Sequence, residues 1–215
     1  QVNVNWHNFQ EFTQTLKKIA PGINFGSLIG HSTVRRDLIG EHSADLTDSE
    51  VSIFKSIIEE SIKNGALGLS TGLNYLHERQ VPQKEIKDLV SVAAKYDGVY
   101  TTHLRNEKEQ IVESVNEICD IYKVTGAKTI INRFLPFLGF EKEFELGYEV
   151  LKRSGDGFFF VVSATNADNV PFYKLLPSWA QKGNLQEMTS IIKNPTNEKN
   201  IISELPKIKS DSIIK

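Results

Sequence analysis

Five short runs rich in β-branched and aromatic residues recur along the chain, at INFGSLIG (23–30), ALGLS (66–70), VYTTH (99–103), KTIIN (128–132) and FFFVVS (158–163). Amphipathic helical patterns fill the intervals. Successive runs begin about 30 to 40 residues apart, which is the length of a βαβ unit, and such units place strands parallel with right-handed crossovers. Their unbroken apolar character suits strands of which several are buried on both faces. Thr47 and Glu50 form a capping box ahead of a stripe of Val51, Phe54, Ile58 and Ile62, and Asn64-Gly65 ends that helix. Pro82 opens a second helix through Ile86, Leu89, Val90 and Ala93. Ile111, Val115, Ile118 and Tyr122 mark a third, closed by Gly126, and Phe144, Tyr148 and Leu151 a fourth, closed by Gly155. The fold class is α/β.

Parallel units leave a closed eight-stranded barrel or an open doubly wound sheet. No GxGxxG or GxxxxGK[ST] loop follows any strand, so a doubly wound small-molecule-binding domain would lack its usual phosphate signature. A barrel takes about 250 residues and eight strands, so this chain would be a partial TIM-like barrel. The strand ends bear on the choice because polar residues collect there: His31, Ser70 with Thr71, His103, Asn132 with Arg133, and Ser163 with Thr165. In a parallel barrel these ends open on one mouth, where binding and catalysis are built. Each alone reads as well as a hydrogen-bonded or capping residue.

A formal net charge of −2 with Lys and Arg scattered along the chain gives no electrostatic footprint for nucleic acid or an anionic membrane. Cys119 is the only cysteine, which rules out an intrachain disulfide or a cysteine zinc cluster and suits a reducing, cytoplasmic setting. No apolar run approaches the roughly 18 residues of a membrane span, and QVNVNWHNF is unlike a signal peptide. The chain opens on Gln1 and closes on DSIIK within another β-branched run, which reads as a chain cut at both ends. His7, His42 and His77 sit in polar surroundings and are expected at the surface. The polar NPTNEKN stretch leads into a helical pattern through Ile201, Ile202 and Leu205.

GSLIGHSTVRRDLIG (26–40), GALGLSTGLNY (65–75), YTTHLRNE (100–107) and LLPSWAQKG (175–183) resemble, in order and spacing, the N-acyl-D-amino-acid deacylase branch of the amidohydrolase superfamily. The resemblance implies a zinc hydrolase on a TIM-like barrel that releases a carboxylate from N-acylated D-amino acids. It implies that residues 1–215 are a single catalytic-barrel segment, without the first and last strands and the flanking β-sandwich. It makes His103 the metal ligand, and a strand end at the mouth can hold a rigid imidazole against a metal that keeps a position open for water. Bound zinc would lower the pKa of that water towards 7 and polarise the amide carbonyl. Tyr75, Arg105, Ser70 and His31 become substrate-side candidates, with Arg105 and Glu107 placed to orient His103. Taken alone, Tyr75 reads equally as a packed loop aromatic, and Arg105 with Glu107 as a surface pair worth under about 1 kcal/mol.

The sequence also departs from that pattern. Where the family has a second metal histidine, in a segment resembling ISHxxP, this chain reads IINRFLP with Arg133, and a guanidinium offers zinc no lone pair and repels it. Leu76-His77 replaces the usual proline after GLNY. The family's HxH pair would precede Gln1 and its catalytic aspartate would follow Lys215. Two further readings therefore stand beside the hydrolase segment: a degenerate homologue that keeps the scaffold without the reaction, and the doubly wound binding domain. The partner is expected to be a small N-acyl amino acid, and an open barrel would be prone to self-association.

Overall fold

The structure is a computed structural model and describes residues 6–40, 44–162, 171–183 and 185–205. The chain separates into two compact units, residues 1–162 and 163–215. In the first, β1 (Ile29–Gly30), β2 (Gly68–Gly72), β3 (Val99–His103), β4 (Thr129–Ile131) and β5 (Phe158–Phe160) form one sheet in the order β1-β2-β3-β4-β5, every neighbouring pair parallel. A doubly wound sheet would reverse direction at one strand. The sequential order instead follows from each crossover returning the chain to the adjacent position, as in a TIM-type barrel, and it excludes the doubly wound reading.

Among the described residues this unit has six helices: α1 (Phe9–Ile19), α2 (His31–Ile39), α3 (Asp48–Lys63), α4 (Gln83–Lys95), α5 (Ile111–Thr125) and α6 (Glu141–Ser154). Their ends obey local chemistry. The Thr47 N–H donates to the Glu50 carboxylate at 2.7 Å while the Glu50 N–H returns to the Thr47 hydroxyl, so two orphan donors of α3 are satisfied reciprocally. Pro82 is the N-cap of α4, one residue ahead of the first turn, where its missing N–H costs nothing. Gly126, with φ of 67°, adopts the left-handed conformation that closes α5, and its N–H reaches the Tyr122 carbonyl.

β3 matches the expected run residue for residue, β2 extends to Gly72, and β1 and β5 are shorter than their apolar runs. Before Ile29 the backbone holds the sheet at one point, where the Leu67 N–H donates to the Ser27 carbonyl at 2.8 Å, and Ile23 and Phe25 lie exposed. Apolar β-branched sequence without a ladder is not yet a strand. Residues directly paired share a face, so Leu69, Tyr100, Thr71, Thr102, Thr129 and Ile131 point one way. That face is packed under the helices by Phe54, Ile58, Ile86, Leu89, Ile118 and Ile121. Within it the Thr71 hydroxyl lies 2.8 Å from the Tyr100 hydroxyl and donates to Thr102, which satisfies the polar groups that burial would otherwise penalise. Ser70, Gly72, Thr101, His103 and Ile130 share the opposite face.

In the second unit, two 3-10 turns (Phe172–Leu175 and Ser178–Gln181) precede α7 (Leu185–Lys193) and α8 (Pro195–Glu204). The helix expected around Ile201 begins earlier than its apolar residues suggest, because the Asn194 side chain caps the Thr196 N–H and Pro195 is preset for a first position. The Trp179 indole donates to the Glu204 carboxylate at 3.2 Å. Ser163, Thr165 and His42 lie outside the described residues.

Candidate active-site mouth

All five strands end on one side of the sheet, and β3 delivers His103 there, paired in register with Gly72 at the end of β2. Arg133 follows β4 by two residues, so His103 and Arg133 come from adjacent strands. The imidazole Nδ1 lies 3.6 Å from Glu107, too far for a hydrogen bond, and is buried without any hydrogen-bond partner. Arg133 Nη2 approaches the other Glu107 oxygen at 3.8 Å while its guanidinium lies 5.1 Å from the Phe137 ring centre. The resulting string runs imidazole, carboxylate, guanidinium. Arg133 holds a φ of 56°, a conformation that costs a non-glycine residue about 1–2 kcal/mol.

Tyr75 stands in the turn after β2 with its ring edge-on to His103, centroids 5.4 Å apart and planes at 85°. The Leu73 N–H donates to the His103 carbonyl, which holds the start of this loop against β3. Between them Asn74 buries both amide atoms without a hydrogen-bond partner. Ser70 shares the face of His103, but its hydroxyl donates to the Ile29 carbonyl at 3.2 Å.

Two of the candidate residues have their polar atoms engaged by other parts of the chain. Successive residues after His103 diverge, so Glu107 approaches the imidazole while Arg105 reaches away to bond both Glu117 oxygens, at 2.8 and 3.0 Å, and the carbonyls of Glu78, Arg79 and Val81. It is a staple between α5 and the loop of residues 73–81, not a loose surface ion. The second is His31. It starts α2, is fully buried, stacks on Phe54 and places its ring nitrogens 2.8 Å from Glu78 and Glu85. Arg35, one turn on, donates to the same Glu85. His7 and His77 are exposed, as their polar settings suggested.

Glu78, Glu85, Arg35 and Glu117 escaped the sequence reading. One signal was there: Glu85 falls on the same stripe as Leu89 and Ala93, and a carboxylate on an apolar helix face requires a buried partner. A catalytic zinc takes about three protein ligands. Among the described residues no group of three His, Cys, Asp or Glu side chains is placed to hold a metal ion. His103 has the orphan nitrogen a metal would use, but Glu107 already faces the Arg133 cation, so these residues do not by themselves make a zinc site.

No protein-family model matches the chain. It is 27% identical over 127 residues to the D-aminoacylase of Alcaligenes xylosoxydans xylosoxydans, covering 59% of this chain and 26% of that enzyme. The N-acyl-D-glutamate deacylase of the same organism is 30% identical over 112 residues, covering 52% and 23%. The chain thus spans about a quarter of the length of these curated relatives. Among solved structures, a D-aminoacylase that defines a novel subset of amidohydrolases superposes with a TM-score of 0.66 at 25% identity, covering 72% of this chain and 33% of that one. The N-acyl-D-glutamate deacylase of Bordetella bronchiseptica, solved with zinc and a phosphonate mimic of the tetrahedral intermediate, shares the fold at TM-score 0.65 and 24% identity, covering 72% and 34%. Over the matched residues the chain is similar in sequence to D-aminoacylase and N-acyl-D-glutamate deacylase, and its parallel five-stranded unit is similar in fold to a D-aminoacylase of the amidohydrolases.

Proposed function

We propose that this chain is a barrel segment of an amidohydrolase that cleaves N-acyl-D-amino acids, adding water across the amide to give a carboxylate and a D-amino acid. The observation that carries the reading is the buried, unpartnered Nδ1 of His103 at a strand end, with the Tyr75 ring edge-on to the same imidazole. A buried polar atom left without a partner costs about 1–3 kcal/mol, so its retention at the mouth favours a ligand-binding role over a packing one. Tyr75 would offer a hydroxyl to the developing oxyanion, and Arg133 a cation for the substrate carboxylate.

A second reading is favoured by Arg133 and Glu107, which place an internal ion pair beside His103: the segment keeps the scaffold and has lost the reaction. Amine release from N-acetyl-D-amino acids, measured on the 215-residue chain and on the full reading frame that contains it, separates the two. Turnover by the full frame that His103→Ala abolishes supports the hydrolase; a full frame that binds no metal and releases no amine leaves the scaffold. The single buried Cys119 fits a reducing cytoplasm. Exposed Phe159 and Phe160 on β5, with Val161 and Val162 just after it, favour self-association of the isolated chain. A monodisperse monomer in sedimentation analysis would count against that.

A further inference from the structure

Beneath the mouth lies a cluster that the hydrolytic reading does not use. His31, Arg35, Glu78 and Glu85 are all buried, drawn from α2, α4 and the loop of residues 73–81. Each imidazole nitrogen lies 2.8 Å from a carboxylate oxygen, Nδ1 from Glu78 and Nε2 from Glu85. Glu85 also accepts from Arg35 Nε at 3.1 Å, and Glu78 accepts the N–H of Gly72, the last residue of β2. Arg35 and the Gly72 N–H donate to these carboxylates, and since an ionised carboxylate only accepts, each ring contact is a hydrogen bond only when that nitrogen carries a proton. An imidazolium meets that demand and makes the cluster neutral, two cations against two anions. Neutral imidazole carries one N–H, sets its second nitrogen lone pair against an oxygen, and leaves a buried net negative charge.

Glu78 is the point at which this charge acts on the mouth. It is three residues beyond Tyr75, whose carbonyl accepts the Glu78 N–H at 3.0 Å, and its carboxylate ties that turn back to the end of β2. The same turn presents Tyr75 to His103. We propose that His31 and Glu78 are positioning residues, a protonation-dependent latch in which the His31 imidazolium holds Glu78, and Glu78 holds Tyr75 against His103. Burial opposes the charged ring, but the hydrogen bonds and negative charges of Glu78 and Glu85 together outweigh it and keep His31 above the ordinary imidazole value of 6.5. The latch is closed while both ring nitrogens donate to Glu78 and Glu85, and it opens as rising pH removes a ring proton. It concerns the conformation of the loop and does not depend on turnover.

The test is nitrogen-15 NMR of the histidine rings with amide hydrogen exchange, on the full 215-residue chain from about pH 6 to pH 10. Two protonated His31 nitrogens are expected at pH 7. As His31 deprotonates, exchange at the Gly72 and Tyr75 amides should rise roughly ten- to hundredfold beyond the ordinary hydroxide dependence, the scale of losing a hydrogen bond to a charged group. Glu78→Gln keeps the shape and removes the charge, so it should move both transitions to lower pH together. A single neutral tautomer at pH 7, or loop exchange that ignores the His31 titration, overturns the latch. So does a His31 that stays protonated until global unfolding. Should the variant fail to fold, the wild-type coincidence of the two transitions decides alone.

Discussion

Arg105→Ala offers the most direct measure of how the loop of residues 73–81 is held. The guanidinium makes five hydrogen bonds, two to Glu117 and three to the carbonyls of Glu78, Arg79 and Val81. Removing one member of a buried ion pair costs about 3–5 kcal/mol, because the remaining charge stays behind without compensation. Arg105 keeps 27% of its side chain exposed and Glu117 keeps 13%, so water would partly resolvate the carboxylate and the loss should be nearer about 2–3 kcal/mol. With a urea slope of about 1–3 kcal/mol per molar, the unfolding midpoint followed by circular dichroism should fall by about 1 M. Arg105→Lys should lose roughly half as much, since an ammonium cannot span Glu117 and three divergent carbonyls at once. Arg105→Ala with Glu117→Ala should recover part of the loss, because no stranded carboxylate remains. A midpoint unchanged within about 0.3 M at constant slope would return Arg105 to the status of an exposed ion pair.

Gly68→Ala should cost about 3–5 kcal/mol in the same assay: a Cβ there would sit 1.9 Å from the Val99 carbonyl oxygen, and the φ of 148° disfavours any side chain, so a loss under about 1 kcal/mol would mean the β2–β3 register is not as described. Because the folded-state pKa of His31 is raised, its contribution to stability is complete below the unfolded value near 6.5 and is lost as pH climbs through the folded value. Urea midpoints should fall on the alkaline side and flatten in His31→Gln; a midpoint that rises there would contradict the sign. Calorimetric titration should find no submicromolar zinc site in the 215-residue chain and tighter binding after Arg133→His, with no amine release in either; stoichiometric submicromolar binding by the wild type would show that the ligand set lies elsewhere.

Much of the scaffold was legible because its signals are local. The Thr47–Glu50 box, Pro82, Gly126 and Gly155 mark helix boundaries through the chemistry of single residues, and the period of the strands carries the parallel order with it. His103 was legible for a similar reason, since its place depends on β3 alone. What stayed hidden depends on partners far away in sequence. Arg105 and Glu107 are two residues apart, and nothing in RNE says that one will turn to α5 and the other to His103. His31 lies 47 residues from Glu78 and 54 from Glu85, and its adjacency to an apolar strand gave no sign that α2 begins at that residue and buries it against them. β1 and β5 came out short because apolar composition alone does not supply a neighbouring ladder.

The charges around the mouth fall into two groups that meet at the loop of residues 73–81. Below, His31, Arg35, Glu78 and Glu85 are buried and close their own balance; above, His103, Glu107 and Arg133 are partly open, with contacts of 3.6 and 3.8 Å that a bound ligand could rearrange. Under the proposed function, ligand binding would call for that difference in tightness. A loop carrying Tyr75 must be fixed before the ligand arrives if its hydroxyl is to be in place, so its anchors belong in the low-dielectric interior where charge pairs are strong. Residues that received a ligand would have to exchange partners, which suits groups that water still reaches. Arg105 repeats the principle from the other side, holding three carbonyls of the same loop while its charge pairs with Glu117 on α5. Losing either anchor should therefore disturb the Tyr75–His103 contact, while the Arg133–Glu107 pair, held by β4 and by the turn after β3, should keep its geometry.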